Sequence, residues 1–229
     1  MRTVGPRTLN LTPVNIVRSL ERRLERLLDG VAGRVFSGAL HPAELAGKLA
    51  READFARFDH PTGPATANSF TVMVNHRDLD ADSDSLQASL AAELSRYAAD
   101  EGLRLEGPVS VAIETSDKTP PGTVMCHVEV VPGPPTPWAK LVSRGETHQV
   151  GRNRTLLGRD PEADLVLPHD EISRRHALIW REQGSAWIRD LGSSNGTLVS
   201  GKGVGYAPTR LSHGSVVVLA GHEYRFLEG

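Results

Sequence analysis

Val17, Leu20, Leu24, Leu27 and Leu28 recur at three- and four-residue intervals in VNIVRSLERRLERLLDG, the spacing of one face of a helix. Thr12-Pro13 reads as an N-cap followed by proline at the first helical position, and Gly30 as the stop. A second helix is expected after His41-Pro42, in PAELAGKLAREADFARF, and PTGPATANS as a loop. The pattern then changes period: Phe70, Val72 and Val74 alternate in SFTVMVN as in a half-buried strand. Leu86, Leu90, Leu94 and Tyr97 form the stripe of a third helix, and VSVAIETS and TVMCHVEVV are strands on either side of the turn signal TPPG. The order α-α-β-α-β-β predicts an α+β domain with helices on one face of a small sheet. Beyond it the grammar is different. Short runs such as AKLVS, RTLLGR, ALIWR, AWIRD, SVVVL and EYRFL are punctuated by Gly, Asn, Asp and Pro, which predicts an all-β sandwich with its binding residues in loops.

The break falls in VVPGPPTPW, where prolines and a glycine interrupt all periodicity. The expected organisation is a tail over residues 1–13, an α+β domain over 14–132, a Pro-rich linker over 133–137 and the sandwich over 138–229. Composition adds little except by exclusion. The chain has 229 residues, 39% hydrophobic and 24% charged, as globular proteins do, and its length suits two domains. MRTVGPRTLNLTP holds no apolar h-region, and no run reaches eighteen apolar residues, so neither a signal peptide nor a membrane span is expected. Cys126 is the single cysteine and reads as a small buried side chain, which suits a reducing cytoplasm.

The net charge of −2 conceals an asymmetry. Residues 1–132 carry 14 basic against 18 acidic side chains, and residues 133–229 carry 12 against 10. An acidic first half argues against a broad nucleic-acid surface there. Arg152, Arg154, Arg159, Arg174 and Arg175 cluster within a short stretch, which is a hint of a site. Ser173 and His176 raise a second possibility, a nucleophile and its base. No accompanying acid in a triad pattern and no G-x-S-x-G elbow support it, and the remaining histidines lack metal-ligand spacing.

Gly158-Arg159-Asp160, then Ser173-Arg174-Arg175-His176, then Asp190-Leu191-Gly192-Ser193-Ser194-Asn195-Gly196-Thr197 stand in the order GR, SxxH, NG. With HGSVVVLAGHEYRF closing the chain, residues 138–229 resemble a forkhead-associated (FHA) domain. That resemblance implies a phosphothreonine pocket. Arg159 would be the main guanidinium fork, Ser173 the hydroxyl donor and Arg174 a third contact, with Ser194 and Asn195 in the same binding set. Asn195 would hold the peptide backbone beyond the phosphothreonine. Gly158, His176 and Gly196 would support the site, His176 as a brace of the binding loops that does not touch phosphate. The chemistry agrees, because a phosphate ester with nearly two charges and three acceptor oxygens calls for a fixed fork of donors. Arg175 reads as shaping the surface potential, Arg152 and Arg154 as loop charges that steer acidic peptides, and Arg181, Arg189 and Arg225 as solvent-facing strand residues.

SLERRLERLLDGVAGRVFSGALHPAELAGKLAREAD and YAADEGLRLEGPVSVAIE are similar to the amino-terminal domain of actinobacterial FhaA-type proteins, over residues 14–132. Such proteins often carry a long spacer before the FHA domain, where this chain has only PGPPTP, so a more rigid coupling of the halves is expected. Gly30-Val31-Ala32-Gly33 resembles the G-x-x-G loop of KH domains, but the element order and the acidic balance favour a helix-ending turn. The stripe of Arg18, Arg22, Arg23 and Arg26 with Glu21 and Glu25 reads as an exposed helix face or a docking face. The resulting expectation is a cytoplasmic, non-enzymatic adaptor without cofactor or metal. Its partner would be a threonine-phosphorylated protein, either a Ser/Thr kinase or its substrate in cell-wall synthesis or division, including the cytoplasmic segment of a membrane protein. Nucleic-acid binding through the first half and a Ser/His hydrolase are the rival readings.

Overall fold

The computed structural model describes residues 13–29, 35–36, 40–79 and 83–229. The expected Thr12 cap, the Gly30 stop and the loop at 30–33 lie outside the described residues. Helix α1 (Pro13–Asp29) buries Leu20, Leu24 and Leu28 at four-residue spacing. Helix α2 (Pro42–Phe55) starts as read: the Nδ1 of His41 accepts from the backbone N–H of Ala43 at 3.2 Å, and Pro42 opens the first turn. A strand pair not foreseen follows, β1 (Phe58–His60) and β2 (Gly63–Ala65), antiparallel across a turn at Pro61-Thr62. Strand β3 (Ser69–Val74) leads through helix α3 (Asp84–Asp100) to β4 (Ser110–Thr115), and β5 (Met125–Glu129) completes the sheet. The order is β4-β3-β5, with β4 parallel and β5 antiparallel to β3. A parallel neighbour needs a crossover, which α3 supplies. Leu20, Leu24, Leu45, Leu49, Leu90 and Leu94 close with Phe70, Val72 and Val74 into one core on one face of the sheet. Among the described residues, no helix is long and apolar enough to cross a membrane.

The second half is an all-β sandwich of two sheets. Its strands are β6 (Ala139–Ser143), β7 (Glu146–Val150), β8 (Thr155–Gly158), β9 (Leu165–Val166), β10 (Ala177–Glu182), β11 (Ser185–Asp190), β12 (Thr197–Val199), β13 (Lys202–Val204), β14 (Thr209–Leu211), β15 (Val216–Leu219) and β16 (His222–Glu228). One sheet runs β14-β11-β10-β8-β9 and the other β13-β12-β15-β16-β6-β7. Leu141, Leu157, Ile179, Ile188, Val217 and Phe226 are fully buried between them, and Trp138 meets Phe226 edge-on at 6.1 Å.

The linker is no free tether. The N–H of Gly133 donates to the carbonyl of Glu106 at 3.0 Å, and a Cβ on Gly151 would strike Pro135 at 2.7 Å. Arg152 and Arg154, read from sequence as steering charges, face the first domain instead. The Nε of Arg152 lies 3.3 Å from Glu106, and the Nε of Arg154 donates to the carbonyl of Gly102 at 2.5 Å. Arg181 is not solvent-facing either: it is half-buried with its guanidinium 5.6 Å from the centre of the Trp138 ring, and Arg189 is half-buried too. Arg225 is exposed as expected. Arg152, Arg154 and Arg181 sit on strand ends and loops whose local sequence carries no sign that the first domain lies against them.

Candidate phosphopeptide site

The register of one sheet decides what meets at the end of the sandwich. Leu157 of β8 pairs with Ala177 of β10, and Ala177 pairs with Asp190 of β11. These three residues form a single row across the sheet. Because the strands alternate in direction, the chain leaves β8 at this row, enters β10 at it and leaves β11 at it. The segments beginning at Arg159, spanning Ser173–His176 and spanning Leu191–Gly196 therefore emerge side by side. Residues separated by up to 37 positions become neighbours through strand pairing alone.

Backbone contacts then draw the loops together. The N–H of Arg159 donates to the carbonyl of Ser173 at 3.1 Å, and that of Asp160 to the carbonyl of Arg174 at 3.2 Å. Gly158 makes this approach possible, since a Cβ there would lie 1.9 Å from the Arg174 carbonyl oxygen. His176 is fully buried. Its Nδ1 accepts from the N–H of Ser173 at 3.1 Å, which leaves Nε2 as the protonated nitrogen facing the Gly196 carbonyl at 3.2 Å. One imidazole thus ties the Ser173 segment to the Asn195-Gly196 segment. Burial holds its pKa below the ordinary value, although the Gly196 carbonyl pulls the other way, so the ring is neutral at pH 7.

Ser173 and His176 do not form a nucleophile and base. Both imidazole nitrogens have other partners, and the Oγ of Ser173 accepts from the N–H of Ser194 at 3.0 Å. A hydroxyl that accepts with a lone pair keeps its own hydrogen for a further acceptor. Asn195 donates through Nδ2 to the carbonyl of Glu171 at 2.8 Å, which retains its Oδ1 and second N–H for other partners. Arg159 and Arg174 are exposed. Arg175 reaches away from this group, donating to the carbonyl of Pro61 in the turn between β1 and β2 at 3.3 Å.

Asp190 organises the third loop, a role the sequence reading left unassigned. Its Oδ1 accepts from the N–H groups of Gly192 and Ser193, both at 2.8 Å, and its Oδ2 from the hydroxyls of Ser193 and Thr197, both at 2.6 Å. Burial opposes ionisation of Asp190, but these four donors outweigh it and hold the carboxyl below its usual range. The Ser193 Oγ in turn accepts from the N–H of Gly196 at 3.0 Å. Gly192 and Gly196 take φ of 80° and 75°, which side-chain-bearing residues rarely adopt. The signal is present in the sequence as Asp-Leu-Gly-Ser-Ser-Asn-Gly, the composition of a side-chain-capped turn. Among the described residues, no cluster of His, Cys, Asp or Glu could hold a metal ion.

The family model for the FHA domain matches residues 155–220, and that for the FhaA N-terminal domain matches residues 17–127. The oxoglutarate dehydrogenase inhibitor of Corynebacterium diphtheriae is 38% identical over 86 residues, 37% of this chain and 53% of that protein. The glycogen accumulation regulator GarA of Mycolicibacterium smegmatis is 34% identical over 107 residues, 44% of this chain and 66% of that protein. The chain therefore spans just over half and just under two thirds of these curated relatives. Among solved structures, the FhaA FHA domain in complex with the intracellular domain of Rv3910 is 31% identical, covering 38% of this chain and 96% of that one, with a TM-score of 0.35. An FHA domain studied for phosphothreonine-dependent interactions is 29% identical, covering 40% and 97%, with a TM-score of 0.37.

Proposed function

We propose that this chain, which belongs to the family joining an FhaA N-terminal domain to an FHA domain, is a non-enzymatic adaptor that binds a threonine-phosphorylated segment of a partner protein. The observation that carries this reading is the row of Leu157, Ala177 and Asp190, from which Arg159, Ser173, Arg174, Ser194 and Asn195 all emerge. The phosphate sits over the loops, taken by the planar fork of Arg159, the free hydroxyl hydrogen of Ser173 and the guanidinium of Arg174. Asn195 engages the peptide backbone beyond it, its amide able to donate and accept at once. Gly158, His176 and Gly196 touch no ligand but hold the loops in register. The pre-ordered loops lower the entropic cost of association.

By family resemblance, the partners are Ser/Thr kinases or their substrates in cell-wall synthesis or division, including the cytoplasmic part of a membrane protein. That the FhaA FHA domain has been solved with an intracellular domain supports the last point. The place of action we propose is the cytoplasm, which suits a chain whose single Cys126 has no partner for an internal disulfide. Neither a cofactor nor nucleic acid enters this reading.

Calorimetry of the full chain with a matched set of peptides tests it, carrying phosphothreonine, phosphoserine or threonine at one position. The phosphothreonine form is expected to bind best. A hydrogen bond to a charged group contributes about 1.5–3 kcal/mol, so Arg159→Ala weakens it by roughly tenfold to a hundredfold. Equal affinity for the unphosphorylated peptide would sink the proposal.

A further inference from the structure

We propose that Arg104, in the amino-terminal domain, is a positioning residue for the phosphothreonine pocket, acting through Asp164 on the loop that carries Arg159. The inference rests on the phosphothreonine reading above and adds to it a role for the other domain.

The side chain of Arg104 is only 6% exposed, which is rare for arginine without a close partner. Its Nη1 and Nη2 each lie 2.7 Å from one carboxylate oxygen of Asp164, a two-pronged pairing across the domain boundary. Nη1 also donates to the carbonyl of Arg154 at 3.1 Å, and Nε to Glu106 at 2.5 Å, while Glu106 also faces Arg152. The guanidinium is therefore saturated. Asp164 is tied on its other side as well, because its Oδ2 accepts the N–H of Leu156 in β8 at 2.9 Å. Burial disfavours its charge, yet Arg104 and that backbone N–H hold it ionised.

Asp164 is where the loop from Arg159 ends and β9 begins. Between them the chain folds on itself, with the N–H of Ala163 on the Asp160 carbonyl at 2.9 Å and that of Glu162 on the Asp160 carboxylate at 3.0 Å. The near end is fixed by the Arg159–Ser173 and Asp160–Arg174 backbone bonds, and the far end by Arg104 together with the Leu156 N–H and the pairing of β9 with β8. Removing Arg104 leaves Asp164 as a buried carboxylate short of its main partner, which it relieves by moving toward water and dragging this loop with it. The same domain also touches the facing wall, where Arg175 donates to Pro61 beside Arg174. Interface ion pairs elsewhere would glue the domains equally well; this one falls on the loop that presents the phosphate fork. By linkage, a ligand in the pocket strengthens domain docking as much as docking strengthens the ligand's binding.

The test uses the full chain and a mixture of short peptides centred on phosphothreonine, with the best-retained peptide then titrated. Arg104→Gln and Asp164→Asn are each expected to weaken it by about threefold to thirtyfold, the range of coupling through a packed network. The double variant is expected to be no weaker than the worse single one, because the pair acts as a unit. Arg104→Lys, which keeps the charge but not the fork, falls between. Hydrogen exchange should quicken at Leu156, Arg159 and Asp160 and stay unchanged at Ile188 and Val217. Binding that Arg159→Ala abolishes but Arg104→Gln and Asp164→Asn leave intact overturns this inference alone. Exchange that quickens uniformly through the sandwich also overturns it, since the loss is then one of stability. Wild-type binding that Arg159→Ala does not change sinks the pocket itself, and this inference with it.

Discussion

His176 shows how much a single buried side chain can settle. Its ring joins two loops through opposite nitrogens, and both bonds require the neutral form with hydrogen on Nε2. Burial holds its folded-state pKa below the unfolded value of about 6.5. The unfolded chain therefore takes up a proton first as pH falls, and the contribution of His176 to stability is present above about pH 6.5 and lost progressively below it. The urea midpoint should fall between pH 7.5 and 5.5, and fall less in His176→Gln, with His60, also lowered by burial, supplying part of what remains. Superimposable pH profiles for the two proteins would contradict this. At the same scale, Gly158 was legible as half of a GR motif, but its physical reason was not. The constraint is a backbone carbonyl 1.9 Å from where a Cβ would stand, and only tertiary pairing puts it there.

The elements were mostly legible because burial imposes a period. Four-residue spacing marked Leu20, Leu24 and Leu28 on α1, and alternation marked Phe70, Val72 and Val74 on β3. The sequence reads as helix up to Phe58 and as loop from Pro61, because Pro61, Gly63 and Pro64 are turn formers, yet the short β1–β2 pair accommodates all three around its turn. Nor does alternation reveal that β4 lies parallel to β3, since a strand buries the same face with either neighbour direction. The loop from Leu191 to Gly196 had a motif but no visible organiser. Asp190→Ala leaves two backbone N–H groups and the hydroxyls of Ser193 and Thr197 without their shared acceptor. A cost of about 2–4 kcal/mol is expected, with weaker phosphopeptide binding beside it, because orphaned buried donors cost about 1–3 kcal/mol each before relaxation. A denaturant melt within about 0.5 kcal/mol of wild type would show that the loop is held by something else.

At the scale of the whole molecule, the sequence showed two separate cores and a short linker, and the linker was read as the source of coupling. The structure moves that role to the interface. Arg104 with Asp164, Arg152 with Glu106, Arg154 with Gly102 and the N–H of Gln183 on the Asp100 carbonyl at 2.9 Å join the halves directly. None of these partners is recognisable from its own neighbours in sequence, which is why Arg152 and Arg154 read as loop charges. Separating the domains while one stays folded gives up the Arg104–Asp164 fork and the other bridging hydrogen bonds, at about 1.5–3 kcal/mol for each bond to a charged group. Together these are a large part of the roughly 5–15 kcal/mol that stabilises a typical domain, so neither half melts alone. The full chain should accordingly show one calorimetric transition, whose van't Hoff and calorimetric enthalpies agree. Arg104→Gln should split it in two. Sodium chloride at about 1 M should not, since it screens exposed charges far more than buried ones. Two transitions in the wild-type chain, or a single one that salt divides, would return the coupling to the linker and leave the interface a surface contact.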